Sequence, residues 1–405
     1  MVERKEYLDQ LWAWKDEQII KVVTGIRRCG KSVLLKQYQE KLLASGIAQE
    51  QIVSINFEDL DYESLLDYKS LYHYIKERLC DNKTTYIFLD EVQNVPDFQK
   101  VVDSLYVKDN TDVYITGSNS YLLSSELATL LSGRYVEISM LPLSFREYLA
   151  VTQMPAENAF SEYMKTGGLP YVAAMNRTDE KVDQYLEGIY NTVIVKDIEE
   201  RQTRKEKNAG NRKITDIALL KTIARYLAST IGSPVSVKSI TDYLISSGRK
   251  ISPNTVSDYT QALTESFIFY PAERFDIVGK QLLKANKKMY MVDLGLRNHI
   301  LPRKRYDLGF SIENIVFFEL LRRGYKVNIG KYGSAEVDFV AQNQGILTYF
   351  QVTTDMTAEE TFEREMHPLR SIQDNYEKIV LTLDRFSLGN YEGIKVVNVL
   401  DWLLK

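Results

Sequence analysis

Residues 19–35 read IIKVVTGIRRCGKSVLL: an apolar run, a break at Gly25-Ile26-Arg27-Arg28-Cys29-Gly30-Lys31-Ser32, and a resumption at Val33, Leu34 and Leu35. The run predicts a strand and the resumption a helix, with a glycine loop between them, the context that gives a GxxxxGK[ST] spacing its meaning. Gly25 and Gly30 let successive backbone N–H groups turn inward as an anion nest, and the helix opening near Lys31 adds its positive N-terminal end. Such a loop suits phosphate. Lys31 can reach the β- and γ-phosphates of a nucleotide, while Ser32 offers a hydroxyl to Mg²⁺, a cation that otherwise keeps water and phosphate oxygens around it. The nucleotide-binding residues read here are Gly25, Ile26, Arg27, Arg28, Cys29, Gly30, Lys31, Ser32 and Val33.

Outward from the loop, residues 51–57 (QIVSINF) alternate as a strand, 65–80 read as a helix and 85–90 (TYIFLD) as a strongly apolar strand. Strands separated by helices imply a parallel, three-layered α/β sheet whose ligands gather at the strand C-terminal ends. Asp90 and Glu91 stand at such an end. Asp90 is placed to hold Mg²⁺ through its water shell, and Glu91 to orient and polarise an attacking water. The intervening strand at 51–57 and the glutamate beside Asp90 point to the additional-strand, catalytic-glutamate branch of P-loop ATPases. Residues 95–106 follow as a helix and 112–116 as a strand. Its polar tip, Gly117-Ser118-Asn119-Ser120, makes Asn119 the candidate sensor of the γ-phosphate, with Ser118 second. Arg134, beyond a glycine turn in residues 130–138, is a candidate to stabilise phosphoryl-transfer charge, in the same chain or across a subunit interface.

The 405 residues are too many for one ordinary core, and two or three domains are expected. A net charge of −4 excludes a protein that coats nucleic acid through bulk charge, so any DNA contact would be local. Two cysteines, Cys29 and Cys80, make no disulfide framework and point to a reducing compartment. The N-terminus lacks an apolar leader segment and no apolar run approaches about 18 residues, so a cytoplasmic protein without a membrane span is expected. His73, His299 and His367 show no metal-ligand spacing.

GIRRCGKS, IFLDEVQNVPDFQ, ITGSNSYLLS, LSGRYVEISMLPLSFREYL and TGGLPYV together resemble an AAA-superfamily ATPase family, widespread in prokaryotes and mostly uncharacterised. Its members join the ATPase to a winged helix and a restriction-endonuclease-like domain, and the resemblance covers nearly the whole chain. It implies ATP and Mg²⁺ as ligands, with Lys31, Ser32, Asp90 and Glu91 at the family's phosphate, metal and water positions. It divides the chain into an ATPase core at 1–152, a helical lid and charged connector at 153–213, a winged helix at 214–300 and an endonuclease-like domain at 301–405.

Beyond the core, Gly167-Gly168-Leu169-Pro170 predicts a helix stop and restart. The run at 198–213 (IEERQTRKEKNAGNRK) is a solvated, mixed-charge connector whose basic side chains could touch a phosphate backbone. Three helices at 214–227, 237–246 and 256–267, the third capped by Ser252 with Pro253 behind it, precede strands at 268–275 and 288–292 in a winged-helix pattern. Asn254, Thr255, Ser257 and Asp258 would face a DNA groove, and Arg249, Lys250, Lys280, Lys284, Lys287 and Lys288 make a modest basic edge. DNA and a protein partner, including a second copy of the chain, are both open as occupants. In the last region the resemblance places Glu313 and Asp338 at the first two Mg²⁺ positions of an endonuclease site, and Gln351 at the third. There Gln351-Val352-Thr353 departs from an acidic-x-lysine pair: glutamine offers a neutral carbonyl oxygen and threonine no charge. Glu336 or Asp355 could substitute geometrically, but a degenerate site is expected. The reading is thus a Mg²⁺-dependent ATPase that couples turnover to DNA or a partner. An ATP-regulated nuclease and an ATP-driven signalling switch acting through protein contacts are the alternatives.

Overall fold

The computed structural model describes residues 2–117, 131, 133–197, 216–301 and 307–405. Its first unit, built on Met1–Pro142, contains α1 (Lys5–Ala13), β1 (Ile20–Thr24), α2 (Lys31–Ala44), β2 (Ile52–Asn56), α3 (Tyr68–Lys76), β3 (Thr85–Asp90), α4 (Phe98–Tyr106), β4 (Thr111–Thr116) and β5 (Tyr135–Ser139). The sheet order is β2-β3-β4-β1-β5, and every pairing is parallel. Parallel strands are covered on both faces, which is why β1 and β3 are mostly apolar and wholly buried. The strand alternation divides the two faces. Val22, Ile87, Leu89, Val113 and Ile115 join one core with Leu71 and Ile75 of α3 and Val101, Val102 and Leu105 of α4. On the other face Phe88 and Tyr114 stack at 4.8 Å, and Tyr38 of α2 lies 5.1 Å from Tyr114. That face also buries Lys21, whose ammonium pairs with Asp112 at 2.5 Å, while the Tyr114 hydroxyl donates to the same carboxylate at 2.9 Å.

The single helix expected at 65–80 is two elements. A 3₁₀ stretch runs over Leu60–Leu66, and α3 starts afresh at Tyr68 because the Asp67 carboxylate accepts the Ser70 N–H at 2.9 Å, an N-cap that resets the chain direction. The helix expected from residue 95 begins at Phe98, after Asp97 adopts the left-handed region at φ +61°.

The second unit is built on Leu143–Val195, Ile214–Thr264 and Ile268–Lys405. It opens with α5 (Phe145–Thr152), α6 (Ala156–Thr166), α7 (Pro170–Ala174) and α8 (Asp179–Asn191). The Gly-Gly-Leu-Pro stop and restart falls between α6 and α7, with Pro170 in the first turn of the new helix. Then come α9 (Ile217–Ser229), β6 (Pro234–Val235), α10 (Val237–Ser246), α11 (Pro253–Glu265), β7 (Phe269–Asp276), β8 (Gln281–Met291) and α12 (Leu294–Ile300). Ser252 caps α11, its hydroxyl accepting the Thr255 N–H at 3.2 Å. The chain closes with α13 (Leu308–Arg322), β9 (Lys326–Tyr332), β10 (Ala335–Asn343), β11 (Ile346–Thr353), α14 (Glu359–Ser371), β12 (Glu377–Thr382), β13 (Gly389–Tyr391), β14 (Ile394–Asn398) and α15 (Val399–Leu403).

The nine strands among the described residues of this unit form one mixed sheet, ordered β13-β14-β12-β11-β10-β9-β7-β8-β6. The join is the parallel pairing of β7 with β9, Arg274 to Ile329 through Asp276 to Lys331. β8 is longer than the strand expected at 288–292, since it pairs with β7 over 281–283 as well as 288–291, on either side of an irregularity between Ala272 and Arg274. Asp293, at the start of α12, accepts the N–H groups of Gly168 at 2.7 Å and Leu296 at 3.0 Å. Gly167 is required there: its φ is +77°, and a Cβ on it would lie 2.1 Å from an Asp293 carboxylate oxygen. Among the described residues no helix is long and apolar enough to cross a membrane.

Candidate functional site

β1 delivers the chain into the glycine loop and α2 takes it out. At the entry, Gly25 has φ +143°, and a Cβ on it would lie 2.1 Å from the Met140 carbonyl oxygen, so only glycine admits this close approach. At the exit, Gly30 is left-handed at φ +105° and immediately precedes α2. Between them the Cys29 N–H donates to Ile26 O at 3.3 Å. Ile26 and Cys29 are buried, Arg27 and Val33 half-buried, and Arg28 and Ser32 exposed. Burial pushes the Cys29 thiol up, out of the reactive range. The Arg27 guanidinium lies 3.1 Å from the Glu58 carboxylate.

Lys31, 4% exposed, directs its ammonium at Gly25 O (3.0 Å) and Ile26 O (3.3 Å), with the Glu91 carboxylate 4.0 Å away. Asp90 ends β3 in the same place. Burial raises its carboxyl, and hydrogen bonds from the Ser32 and Thr116 hydroxyls oppose that rise. Glu91 follows in the left-handed region at φ +55°, its N–H donating to Thr116 Oγ1 at 2.9 Å and its carboxylate accepting from Gln93 Nε2. The fold therefore brings together Lys31, Ser32, Asp90 and Glu91. Thr116, absent from the sequence reading, ties Asp90 to Glu91 from the end of β4. Its signal was the polar last residue of an apolar strand that pairs with β3.

One other candidate, Arg134, stands apart. Arg134 lies just before β5, and because β5 runs parallel to β1 with Tyr135 opposite Ile20, it sits at the edge where β1 begins. The phosphate loop leaves from the other end of that five-residue strand, about 16 Å away at ~3.3 Å per residue. There the Arg134 guanidinium rests on the Tyr106 ring at 5.2 Å, so the structure does not bring it to Lys31 within one chain. Asn119 and Ser118 lie outside the described residues.

Residues 17–149 match a family described as an AAA domain, and residues 157–307 match a domain of unknown function. An uncharacterized protein of Haemophilus influenzae is 41% identical, the alignment covering 100% of this chain and 99% of that one. The chain belongs to this family of AAA-domain P-loop ATPases. An uncharacterized protein of Methanocaldococcus jannaschii is 29% identical, over 94% of this chain and 85% of its own. Among solved structures, a Walker-type ATPase of Pyrococcus abyssi aligns at 14% identity with a TM-score of 0.49, over 74% of this chain and 96% of its own.

The second unit of this AAA-domain ATPase gathers the other three candidates around a residue the sequence reading placed elsewhere. Lys288, counted there with a basic DNA-facing edge, is 3% exposed and points into the sheet. Its ammonium lies 2.9 Å from Glu336, 3.1 Å from Glu313 and 3.9 Å from Asp338. Lys288 and Tyr290 share one face of β8, and the Tyr290 hydroxyl donates to Glu313 at 2.6 Å. Gln351 accepts the Asp338 N–H at 3.3 Å and donates to Glu365 at 2.9 Å, while the Val352 N–H donates to the Asp338 carboxylate at 2.8 Å. Burial, with the Glu313 carboxylate beside it, pushes the Asp338 carboxyl up to about 8. Burial also raises Glu313. Burial would lower the Lys288 ammonium, but Glu313, Asp338 and Glu336 outweigh it and hold the charge on the lysine. Among the described residues no group of three or more His, Cys, Asp or Glu side chains is arranged to hold a metal ion. Here an ammonium fills the centre of the carboxylates instead.

Proposed function

We propose that the chain binds ATP with Mg²⁺ at the loop of residues 25–33 and hydrolyses it, using each turnover to change how its second unit engages DNA or a partner. The observation that carries this is the meeting of Lys31, Ser32, Asp90 and Glu91 at one end of the parallel sheet. The residues fit the ligands. A buried ammonium held by carbonyl oxygens beside the loop suits a phosphate, and a carboxylate joined to a serine hydroxyl is an oxygen donor set for a hard cation. Lys31 and the loop N–H groups would take the phosphates, Ser32 and Asp90 would hold the metal, and Glu91 would orient and activate the attacking water. Mg²⁺ would supply charge neutralisation on the phosphate oxygens.

The DNA or partner role is supported by the order α9-β6-α10-α11-β7-β8, with β6 pairing to β8 at Pro234–Lys288, which is the connectivity of a winged helix. Lys250, Lys280 and Lys287 are exposed on it, as are Asn254, Ser257 and Asp258 of α11. Lys288 at the centre of Glu313, Glu336 and Asp338 supports reading residues 301–405 as a vestigial endonuclease-like domain whose acidic cluster now has an internal counter-ion. The test is phosphate release by the wild type and by Lys31→Ala, with and without double- and single-stranded DNA. Release that is lost in Lys31→Ala and stimulated by DNA is expected. Equal release by both proteins overturns the ATP site, and a DNA-indifferent rate assigns the second unit to a protein partner.

A further inference from the structure

We propose that Arg4 is a positioning residue that ties the phosphate loop to the segment through which the chain leaves the nucleotide-binding unit. The inference rests on the ATP-site reading above. Arg4 stands one residue ahead of α1 and is 2% exposed. A guanidinium never loses its charge, so it is buried only where several acceptors converge on it. Nη1 donates to Cys29 O at 3.2 Å, and Nη2 donates to Leu141 O at 2.8 Å and Pro142 O at 3.5 Å. The group also lies 4.9 Å from the Tyr7 ring, and the Tyr7 hydroxyl accepts the Leu141 N–H at 3.0 Å. The Arg4 N–H is bound to Gln37 of α2 at 3.4 Å, and Gln37 Nε2 donates to Val2 O at 2.8 Å.

Two consequences follow from these contacts. First, Cys29 precedes the loop's last glycine, and in a planar trans peptide the C=O and the next N–H point in opposite directions. Holding Cys29 O toward Arg4 therefore aims the Gly30 N–H to the other side of that peptide, away from Arg4. Second, the partners at the far end of the fork, Leu141 and Pro142, are the last residues of the first unit's opening segment, Met1–Pro142, and Leu143 begins the second unit. The same segment is already pressed on the loop entry: the Met140 N–H donates to Thr24 O at 2.8 Å and Met140 O fills the space a Gly25 Cβ would need. A phosphate that draws the loop inward acts on one arm of the fork, and the other arm carries the change to residues 141–142.

The experiment measures binding of a fluorescent ATP analogue with Mg²⁺, turnover at saturating ATP, and amide hydrogen exchange across residues 138–145, on the full chain and on Arg4→Ala and Arg4→Lys. The wild type is expected to bind, and to slow exchange of the Leu141 N–H when it does. Arg4→Ala raises the Kd about tenfold, the scale of one lost charge-assisted hydrogen bond, and no longer transmits protection to the Leu141 N–H. Arg4→Lys keeps the charge but not the two-armed fork, so it binds with an intermediate Kd and still loses the protection. It carries the test if Arg4→Ala does not fold. A folded variant with wild-type Kd and wild-type protection overturns the inference. A wild type that binds no ATP analogue overturns the ATP-site reading itself.

Discussion

Replacing Lys288 by methionine removes one ammonium from a pocket of carboxylates while nearly preserving side-chain volume. Breaking a buried ion pair from one side costs about 3–5 kcal/mol, because the remaining charge is left uncompensated. The structure decides which carboxylate bears that cost. Burial pushes the Asp338 carboxyl up, toward its protonated form, and Glu336 is 34% exposed and stays hydrated. The cost therefore falls on Glu313, whose side chain is 8% exposed and whose remaining donor is Tyr290. Glu313 and Asp338 both have carboxyls raised above their unfolded values, so their contribution is complete below about pH 4 and is lost as pH rises through the folded values. In the variant this dependence steepens, since no ammonium remains to favour the ionised forms. With about 2–4 °C lost per kcal/mol for a unit of this size, Lys288→Met should melt at least about 6 °C below wild type at pH 8. The gap should narrow at pH 5. Calorimetric melting of the full chain across that range measures both. A variant that melts within about 1 °C of wild type at pH 8, or whose deficit widens on acidification, refutes the counter-ion role of Lys288.

Two other perturbations follow from the geometry. Glu91→Gln should bind the ATP analogue with near wild-type affinity and lower turnover by about 10²–10³-fold, because the amide cannot activate water; an unchanged steady-state rate removes Glu91 from the chemistry. Asp293→Asn should destabilise the protein by about 1–3 kcal/mol, since its amide group would face backbone N–H donors that now find a carboxylate. Burial pushes the Asp293 carboxyl up to about 6, so its contribution is full below about pH 4 and falls as pH passes through about 6. A melting profile in Asp293→Asn that keeps the wild-type slope over that interval would contradict this.

The strand, loop and helix at residues 19–35 and the strand ending in Asp90 were legible because local periodicity and a fixed spacing carry them. The start of α3 was missed because Asp67 is both part of an apolar-periodic stretch and an N-cap, and the cap wins. Lys288 was misplaced for a different reason. On the sequence it belongs to a basic run, Lys287-Lys288, and the strand alternation that turns one lysine outward and the other into the sheet does not say what the inward one meets. Glu313 and Asp338 come from elements 25 and 50 residues away along the chain, so only the sheet order puts them there. Arg4 gave no local signal at all: a charged residue before a polar helix reads as surface until the fold brings three main-chain carbonyls onto it.

The parallel pairing of β7 with β9 also bears on how the protein can be taken apart. A cut near residue 300 looks natural on the sequence, yet it would strip β9 of its neighbour and leave a row of bare amide and carbonyl groups ready to recruit another chain. The same cut would separate Lys288 from the acids that solvate it. Fragments ending or starting there should be sticky and poorly expressed, whereas a piece running from Leu143 to the end of the chain keeps the whole nine-stranded ladder together.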